Sequence, residues 1–494
     1  MNKHAPILGA AVIGLALAGL SLLLAGASQA AGTASGTLFV SPGGSGTACS
    51  QAAPCSLQTA LAQAHDGDTL YLAEGTYTGT GTAVITLTKS ITLYGGWDGT
   101  TTTPVARDPD AHPTLLDGEG QRRVVYITGT IAPVLDGLVI THGNAVGLGG
   151  FSSYDAGGGI YVHQADVLIR NCTIISNAVQ GGTGGGIVFI KSNGRLEASR
   201  VISNTATWGG GMRAISKSPT IRHSRFQGNT AHFGGGLYLM WSSATVEGNR
   251  FRDNEATTSS GGAIFLSGDS STIVGNRIVG NRGSYGGGIG VASGSPAVIS
   301  GNTILSNTAG RQGGGIIIQY NDARLYNNVI AHNEAQEEGA GVYIGNASPV
   351  LLHNTIAQNG GGDGAGVHVG TGAGVALTNT ILVSHTVGIT VATGSTATLE
   401  GTLWGSGAWA NGADWGGDGA IVTGTVNLWG DPAFADPAGG DYHIGPGSAA
   451  VDAGVDAGVT TDVDGDPRPV GAAPDLGADE FQYKTYLPLV LDGP

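Results

Sequence analysis

Charge and cysteine are both scarce in this chain, and each scarcity excludes a class of function. Charged residues make up 12% of 494, with 21 Lys and Arg against 36 Asp and Glu, for a formal net charge of −15. A surface this acidic repels a phosphate backbone, which excludes bulk nucleic-acid binding. Three cysteines are too few for a disulfide scaffold. Cys49 and Cys55 stand six positions apart in a short loop of what reads as an exported chain and are expected to pair, whereas Cys172 is expected to be a buried thiol. Helical spacing is also missing from the middle of the chain. No window of ten or more residues between Gly157 and His385 carries it, so leucine-rich and ankyrin repeats are excluded.

Glycine is abundant, at 89 residues, and it follows a period. Runs such as Gly157-Gly158-Gly159 and Gly184-Gly185-Gly186 end at positions 159, 186, 211, 236, 263, 288, 315, 341 and 366. Each repeat then closes on an asparagine, from Asn177, Asn204 and Asn229 to Asn359. Such a period specifies a solenoid. The first and third positions after each run are aliphatic columns (Ile160, Ile187, Met212, Leu237 and Val162, Phe189, Ala214, Leu239), and the residue between them is mixed. That is strand alternation with two inward columns. Two further apolar columns pass through Ile169, Leu196 and Ile221 and through Ile174, Val201 and Phe226. Parallel crossovers are overwhelmingly right-handed. The expected fold is therefore all-β, a right-handed single-stranded parallel β-helix with three strands per rung. An inward polar column of Cys172, Ser199, Ser224, Asn249, Asn276 and Asn302 predicts stacked side-chain hydrogen bonds.

The Gly-Gly-Ala-Ile at 261 to 264 and the Phe-x-x-Asn at 226 to 229 and 251 to 254 resemble the two short repeats of the polymorphic outer membrane proteins, which are surface β-helices of the pectin-lyase-like superfamily. This resemblance covers about half the chain and implies a fold more than a function.

Residues 1–30 carry one charge, Lys3, an apolar run from Ile7 to Ala27, and small residues before Ala30, the pattern of a Sec signal peptide. An uncleaved anchor is the alternative, and either reading exports the chain to the cell surface or the extracellular space. Residues 31–145 read as an N-terminal cap and irregular first rungs. Leu57, Ala60, Leu61 and Ala64 share one face of a short helix that would lid the first rung. This start, Pro54-Cys55-x-Leu57 through Gly75-Thr76-Tyr77, also resembles pectin-lyase-like exported β-helices. Residues 146–400 are the regular repeats and 401–430 a Gly/Ala/Trp-rich connection. The acidic segment 431–494, from Asp431-Pro432-Ala433-Phe434 to Asp475-Leu476-Gly477-Ala478-Asp479-Glu480, resembles the choice-of-anchor Q segment of bacterial surface β-helices. Asp479 stands where that family has an aromatic residue. The tail after Phe481 offers a short strand, Tyr486 to Leu491, and neither a sorting motif nor a spanning helix.

Four groups of residues bear on function. Asp462, Asp464 and Asp466 have the spacing of a calcium loop, but Pro467 and Ala473 occupy the EF-hand positions that need glycine and glutamate. A non-EF calcium site and a turn whose carboxylates accept backbone N–H groups both remain open. For the polysaccharide lyases and glycosidases that the resemblance implies, outward carboxylates are required. The outward columns Tyr161, Val188, Arg213, Tyr238 and His163, Ile190, Ile215, Met240, continued through every repeat, hold none, so no catalytic residue is assigned. Trp208, Phe233 and Tyr285 precede glycine runs, and Tyr238 and Phe265 stand outward on adjacent rungs, which reads either as a sugar-stacking platform or as cover for glycine-rich backbone. Arg200, Arg225, Arg250 and Arg277 occupy one outward column, whereas three residues upstream Arg170, Glu197, Arg222 and Glu247 alternate in sign. Like charges at one rung spacing repel, so the unbroken column reads as a stripe of bidentate donors for the carboxylates or sulfates of a polysaccharide. Adhesion or anionic-glycan binding is the first expectation, a polysaccharide-degrading enzyme the second, and a structural envelope protein the third.

Overall fold

The computed structural model describes residues 35–268, 270–294 and 296–482. The expected signal peptide and the strand Tyr486 to Leu491 lie outside the described residues. No helix among the described residues is long and apolar enough to cross a membrane.

A single rung shows how the repeat folds. Ile187–Ile190, Arg195–Glu197, Arg200–Ile202 and Thr205–Trp208 are short strands. Each pairs in parallel with its copy in the next rung, Ile187 with Met212, Leu196 with Ile221, Val201 with Phe226 and Thr205 with Thr230. Each regular rung thus carries four short strands, shared among three sides, where three were expected. The second side is split because Ala198 turns left-handed (φ 45°), which swings Ser199 into the interior. Asn171 (φ 52°) and His223 (φ 49°) do the same in the adjacent rungs. The first side is a thirteen-stranded sheet from Ala83–Leu87 to Ala413–Gly416.

The aliphatic columns meet inside. One continuous apolar cluster extends from Val40 to Trp404 and includes Ile187, Met212, Leu237, Phe226 and Phe251. Burying each such side chain contributes about 1.5–3 kcal/mol. The glycine runs let the rungs approach. A Cβ on Gly186 would sit 2.5 Å from the carbonyl oxygen of Gly211, so any larger residue there would have to push the rungs apart. The closing asparagines form a buried ladder in which Asn204 donates to Asn229 at 3.0 Å, Asn229 to Asn254 at 2.9 Å and Asn254 to Asn281 at 2.9 Å. Each Oδ1 also accepts the backbone N–H of the preceding rung's asparagine, so these buried amides are satisfied. The inward column of Asn249, Asn276 and Asn302 forms a second ladder of the same kind. Cys172 is buried among these columns, and burial pushes its thiol up to about 12.

At the N-terminal end, helix Leu57–Gln63 is capped by Ser56, whose side chain accepts from the Thr59 N–H, and buries Leu57 and Ala60. Lys89 reaches the carbonyl oxygens of Leu61 and Ala64 at 3.2 and 2.5 Å. Cys49 and Cys55 form a disulfide, with 4.6 Å between their Cα atoms.

At the other end the backbone departs from the expected domain plan. The sequence loses its beat after Asn379, yet Gly374–Val383 pairs in parallel with Thr396–Leu403, which pairs with Ala420–Thr423 and Asn427–Leu428. Residues 401–430 therefore build the last rung and do not act as a connection. The acidic segment then folds back onto the second side. Tyr442, Ile444, Ala450, Leu476 and Ala478 pack on Leu305, Ala331, Ala357, Ile381 and Val383. The Gly477 N–H donates to the Asn379 carbonyl at 2.8 Å, and the Ala478 N–H to Thr355 Oγ1 at 3.0 Å.

Candidate functional site

The arginine column is in direct register. Arg200 pairs with Arg225, Arg225 with Arg250 and Arg250 with Arg277, with Thr173 and Thr303 on the flanking rungs. Each arginine opens a three-residue strand whose next residue is buried (Val201, Phe226, Phe251 or Ile278), so strand alternation turns the guanidinium outward. All four arginines are exposed. Their backbones stand about 4.8 Å apart, and two unit charges at about 4 Å cost about 1 kcal/mol even in water, so the stripe is a repulsive arrangement without an anion.

The neighbouring acids do not relieve it. Glu197 pairs with Arg222 at 3.1 Å, inside the alternating column, and Asp136 takes Arg170 at 2.7 Å and Arg107 at 3.2 Å. Only Arg200 has an ion-pair partner among the described residues, Asp110 at 3.1 Å on the loop before the strand Thr114–Asp117. Arg225, Arg250 and Arg277 have none there. With Phe251, Arg252 and Val279 they line a groove of 330 Å³. A second cavity of 340 Å³, holding Arg107, Asp110 and Arg200, continues it toward the N-terminal end. A third of 220 Å³, holding Arg277, Asp441, His443, Asp464 and Asp479, closes it against the folded-back segment.

In that closing wall Asp462, Asp464 and Asp466, which the sequence leaves open between a non-EF calcium site and a turn, take up a turn. Asp462 is buried and accepts three backbone N–H groups, from Asp464 at 3.0 Å, Asp466 at 2.8 Å and Glu480 at 3.1 Å. Asp464 turns instead to His443 Nε2 at 2.6 Å, while Asp441 meets Nδ1 at 2.5 Å. The structure therefore leaves Asp462, Asp464 and Asp466 as a turn and does not gather them as a ligand set. Among the described residues His443, Asp464 and Asp479 offer three ligand atoms within 4.8 Å of one another. Burial works against a charged His443, but the Asp441 hydrogen bond and the charges of Asp479 and Asp464 outweigh it and hold the ring's pKa up at about 9. With Asp441 on Nδ1 and Asp464 on Nε2, the imidazolium acts as a clamp between the two carboxylates. Asp479 accepts the Ile444 N–H at 2.7 Å, and burial raises its pKa to about 6.

The five aromatic residues are only partly available. Tyr238 and Phe265 pair in register as expected but are 6% and 7% exposed, because their rings lie 5.1 Å apart and are covered by Arg213 on one side and Phe233 on the other. Phe233 is half-buried against Phe265 and Trp208 is half-buried against Tyr154. Tyr285 is half-buried, with Arg311 over its ring. An open five-ring platform is thus not present.

Sequence reasoning missed one cluster. His368, in an outward column, has Asp363 at 2.7 Å on Nδ1, Glu338 at 4.0 Å from Nε2 and Tyr343 stacked on its ring at 5.3 Å. Glu338 and Asp363 immediately precede the glycines Gly339 and Gly364, and Gln312 pairs with Glu338 in the column that also holds Tyr285. From the sequence Glu338 reads as a solvated loop acid near the turn after the closing asparagine, and only the fold brings it and Asp363 to His368.

The sequence matches the family described as right handed beta helix region over residues 125–278 and 235–403. No curated protein matches it. Among solved structures it is similar to the crystal structure of pectate lyase Pel9A, with 14% sequence identity and a TM-score of 0.37, over 91% of this chain and 98% of that one. At that level the likeness carries no inference about activity.

Proposed function

The chain belongs to the right-handed β-helix family, and on that premise we infer that it is an exported, non-catalytic adhesion protein that binds an anionic polysaccharide along the groove of Arg225, Arg250 and Arg277. The carrying observation is the stripe itself: outward guanidiniums in register, three of them without an ion-pair partner among the described residues, on a chain with only 21 basic residues. A linear polymer bearing carboxylates or sulfates would lie along the solenoid axis and present successive anions to successive rungs, where bidentate Arg pairing favours such groups. Trp208, Phe233 and Tyr285 would add partly exposed ring faces on another side. In the same reading residues 1–30 direct export, helix Leu57–Gln63 lids the first rung, the repeats are of the polymorphic outer membrane protein type, and 431–494 serves as a choice-of-anchor Q-like segment at the cell surface.

The second reading, a polysaccharide lyase or glycoside hydrolase, is favoured by His368, which Asp363 orients and Glu338 approaches. A glycan array read for both binding and cleavage, with and without calcium, separates the two. Retention of acidic glycans without cleavage and without calcium dependence is the expected result. Release of unsaturated or reducing sugars would transfer the assignment to the enzyme.

A further inference from the structure

A second cation is set on a different side of the solenoid and is buried. Arg213 points outward from the strand Met212–Ile215, between Val188 and Tyr238 in register, yet it is only 5% exposed. Its cover is a hairpin of Gly150–Phe151 and Tyr154–Asp155, inserted before the first glycine run. The guanidinium lies 4.8 Å from the Tyr238 ring, 5.4 Å from Phe151 and 5.7 Å from Trp208. Nη1 donates to Thr183 Oγ1 at 2.9 Å and Nη2 to Met240 Sδ at 2.9 Å, while Nε has no partner. No carboxylate pairs with it among the described residues, and burial lowers its pKa to about 10. A buried charge without a counter-charge is a costly arrangement, and the surrounding rings offset only part of it.

Arg123, which opens the strand Arg123–Thr128 of the neighbouring rung, gives the contrast at the base of this hairpin. It is 4% exposed, but its guanidinium donates to the carbonyls of Ala156 (2.8 Å), Leu148 (3.4 Å) and Gly149 and so fastens the hairpin's base. Asp155 accepts the N–H groups of Gly147 and Gly149 at 2.8 and 2.6 Å, and Tyr161 donates to the Gly150 carbonyl at 2.8 Å. Among the described residues the tip touches the neighbouring rungs through Tyr154, edge-on to Trp208 at 4.6 Å, and through Phe151, which lies over Arg213 and packs against the apolar cluster of Tyr161, Val188, Ile190 and Ile215. The base is pinned by hydrogen bonds and the tip is not.

We propose that this hairpin tip is a lid over an anion site, in which Arg213 receives the carboxylate or sulfate of a single acidic sugar residue and Trp208 stacks on that sugar's ring. Lifting the tip frees the Trp208 contact and exposes the unpartnered Nε, beside an Nη whose present acceptor is a thioether. That Nε/Nη edge fits the two oxygens of a carboxylate. The site is independent of the arginine groove and would stand if that groove bound nothing.

The test is calorimetric titration with galacturonate, with neutral galactose and acetate as controls. The parent protein is compared with a lid variant, Phe151→Gly/Tyr154→Gly, and with the same lid variant carrying Arg213→Met or Arg213→Lys. The lid variant is expected to bind galacturonate at least tenfold more tightly than the parent and to ignore both controls. Arg213→Met should abolish that binding, and Arg213→Lys, which keeps the charge but lacks the fork, should weaken it about tenfold. If Arg213→Met does not fold, the lysine variant carries the comparison. Absence of galacturonate binding in the lid variant overturns the proposal. So does binding that survives in the arginine variants, or equal binding of acetate.

Discussion

One outward column of the second side changes character halfway along the solenoid. At Arg200, Arg225, Arg250 and Arg277 it is charged and bare. In the next rungs it reads Thr303, Val329, Thr355 and Ile381, and the segment 431–481 lies over it. The column two residues on changes in step, from Ile202, Gln227 and Arg252 to Leu305, Ala331, Ala357 and Val383. The inward residues stay apolar and buried throughout, Val201, Phe226, Phe251 and Ile278 in one half and Ile304, Ile330, Ile356 and Leu382 in the other. The interior therefore specifies the solenoid, and the outward residues decide which stretch of it is roofed. Desolvating a row of guanidiniums under a roof without counter-charges is costly, and the folded-back segment ends where the arginines begin.

The most forceful way to break this contrast is to place a charge in the roofed half. Ile381→Arg puts a guanidinium where the side chain is fully buried under Leu476 and Gly477, at a cost of about 3–5 kcal/mol for an uncompensated buried charge. The expected outcome is undocking of 431–481 with the solenoid intact, read by limited proteolysis that trims the segment alone. Protection equal to the parent protein would show that the outward column does not set the boundary.

A smaller effect tests the interior. Asn254→Ala on the bare half and Asn333→Ala on the roofed half each leave buried ladder partners unsatisfied, at about 1–3 kcal/mol. Both remove the same pair of contacts, an Oδ1 that accepts an amide from the rung before and an Nδ2 that donates to the rung after. Denaturant midpoints should fall alike, and a markedly larger loss in one variant would mean that the cover contributes to the ladder.

The smallest effect is a pH dependence at the seam between the halves. His443 has a folded pKa of about 9, above the ordinary value of 6.5, so its contribution is fully present below 6.5 and is lost as pH rises through 9. The ring is nearly half exposed, and solvent screening keeps the effect modest. Hydrogen exchange at the Ile444 N–H, held by Asp479, should accelerate between pH 7 and pH 10 beyond the intrinsic rate. His443→Gln should remove that extra step.

The regular rungs were legible because their signal is redundant. Nine glycine runs and the asparagine column report one geometry many times over, and the register of the arginine stripe followed from counting. The last rungs were not legible, since Thr396–Leu403 and Ala420–Thr423 keep strand pairing while dropping the glycine and asparagine columns. Strand pairing is a backbone property that the side-chain period need not advertise. Tyr238 and Phe265 were read correctly as outward, but outward proved not to mean exposed, because neighbouring rings and Arg213 cover them. The His443 clamp and the Asp363–His368 pair escaped because their partners come from loops, where no repeat fixes position.

The central claim, that the bare half of the column is a binding surface for an anionic polysaccharide, is tested most directly by Arg225→Ser/Arg250→Ser. Both side chains are exposed, so the fold should be unchanged by circular dichroism and thermal melting. On an immobilised anionic polysaccharide the parent protein is expected to be retained at low salt and eluted as salt rises, as screening weakens the ion pairs, and the double variant is expected to flow through. Equal retention of the two proteins, or no retention of the parent on any anionic polysaccharide, would contradict the account.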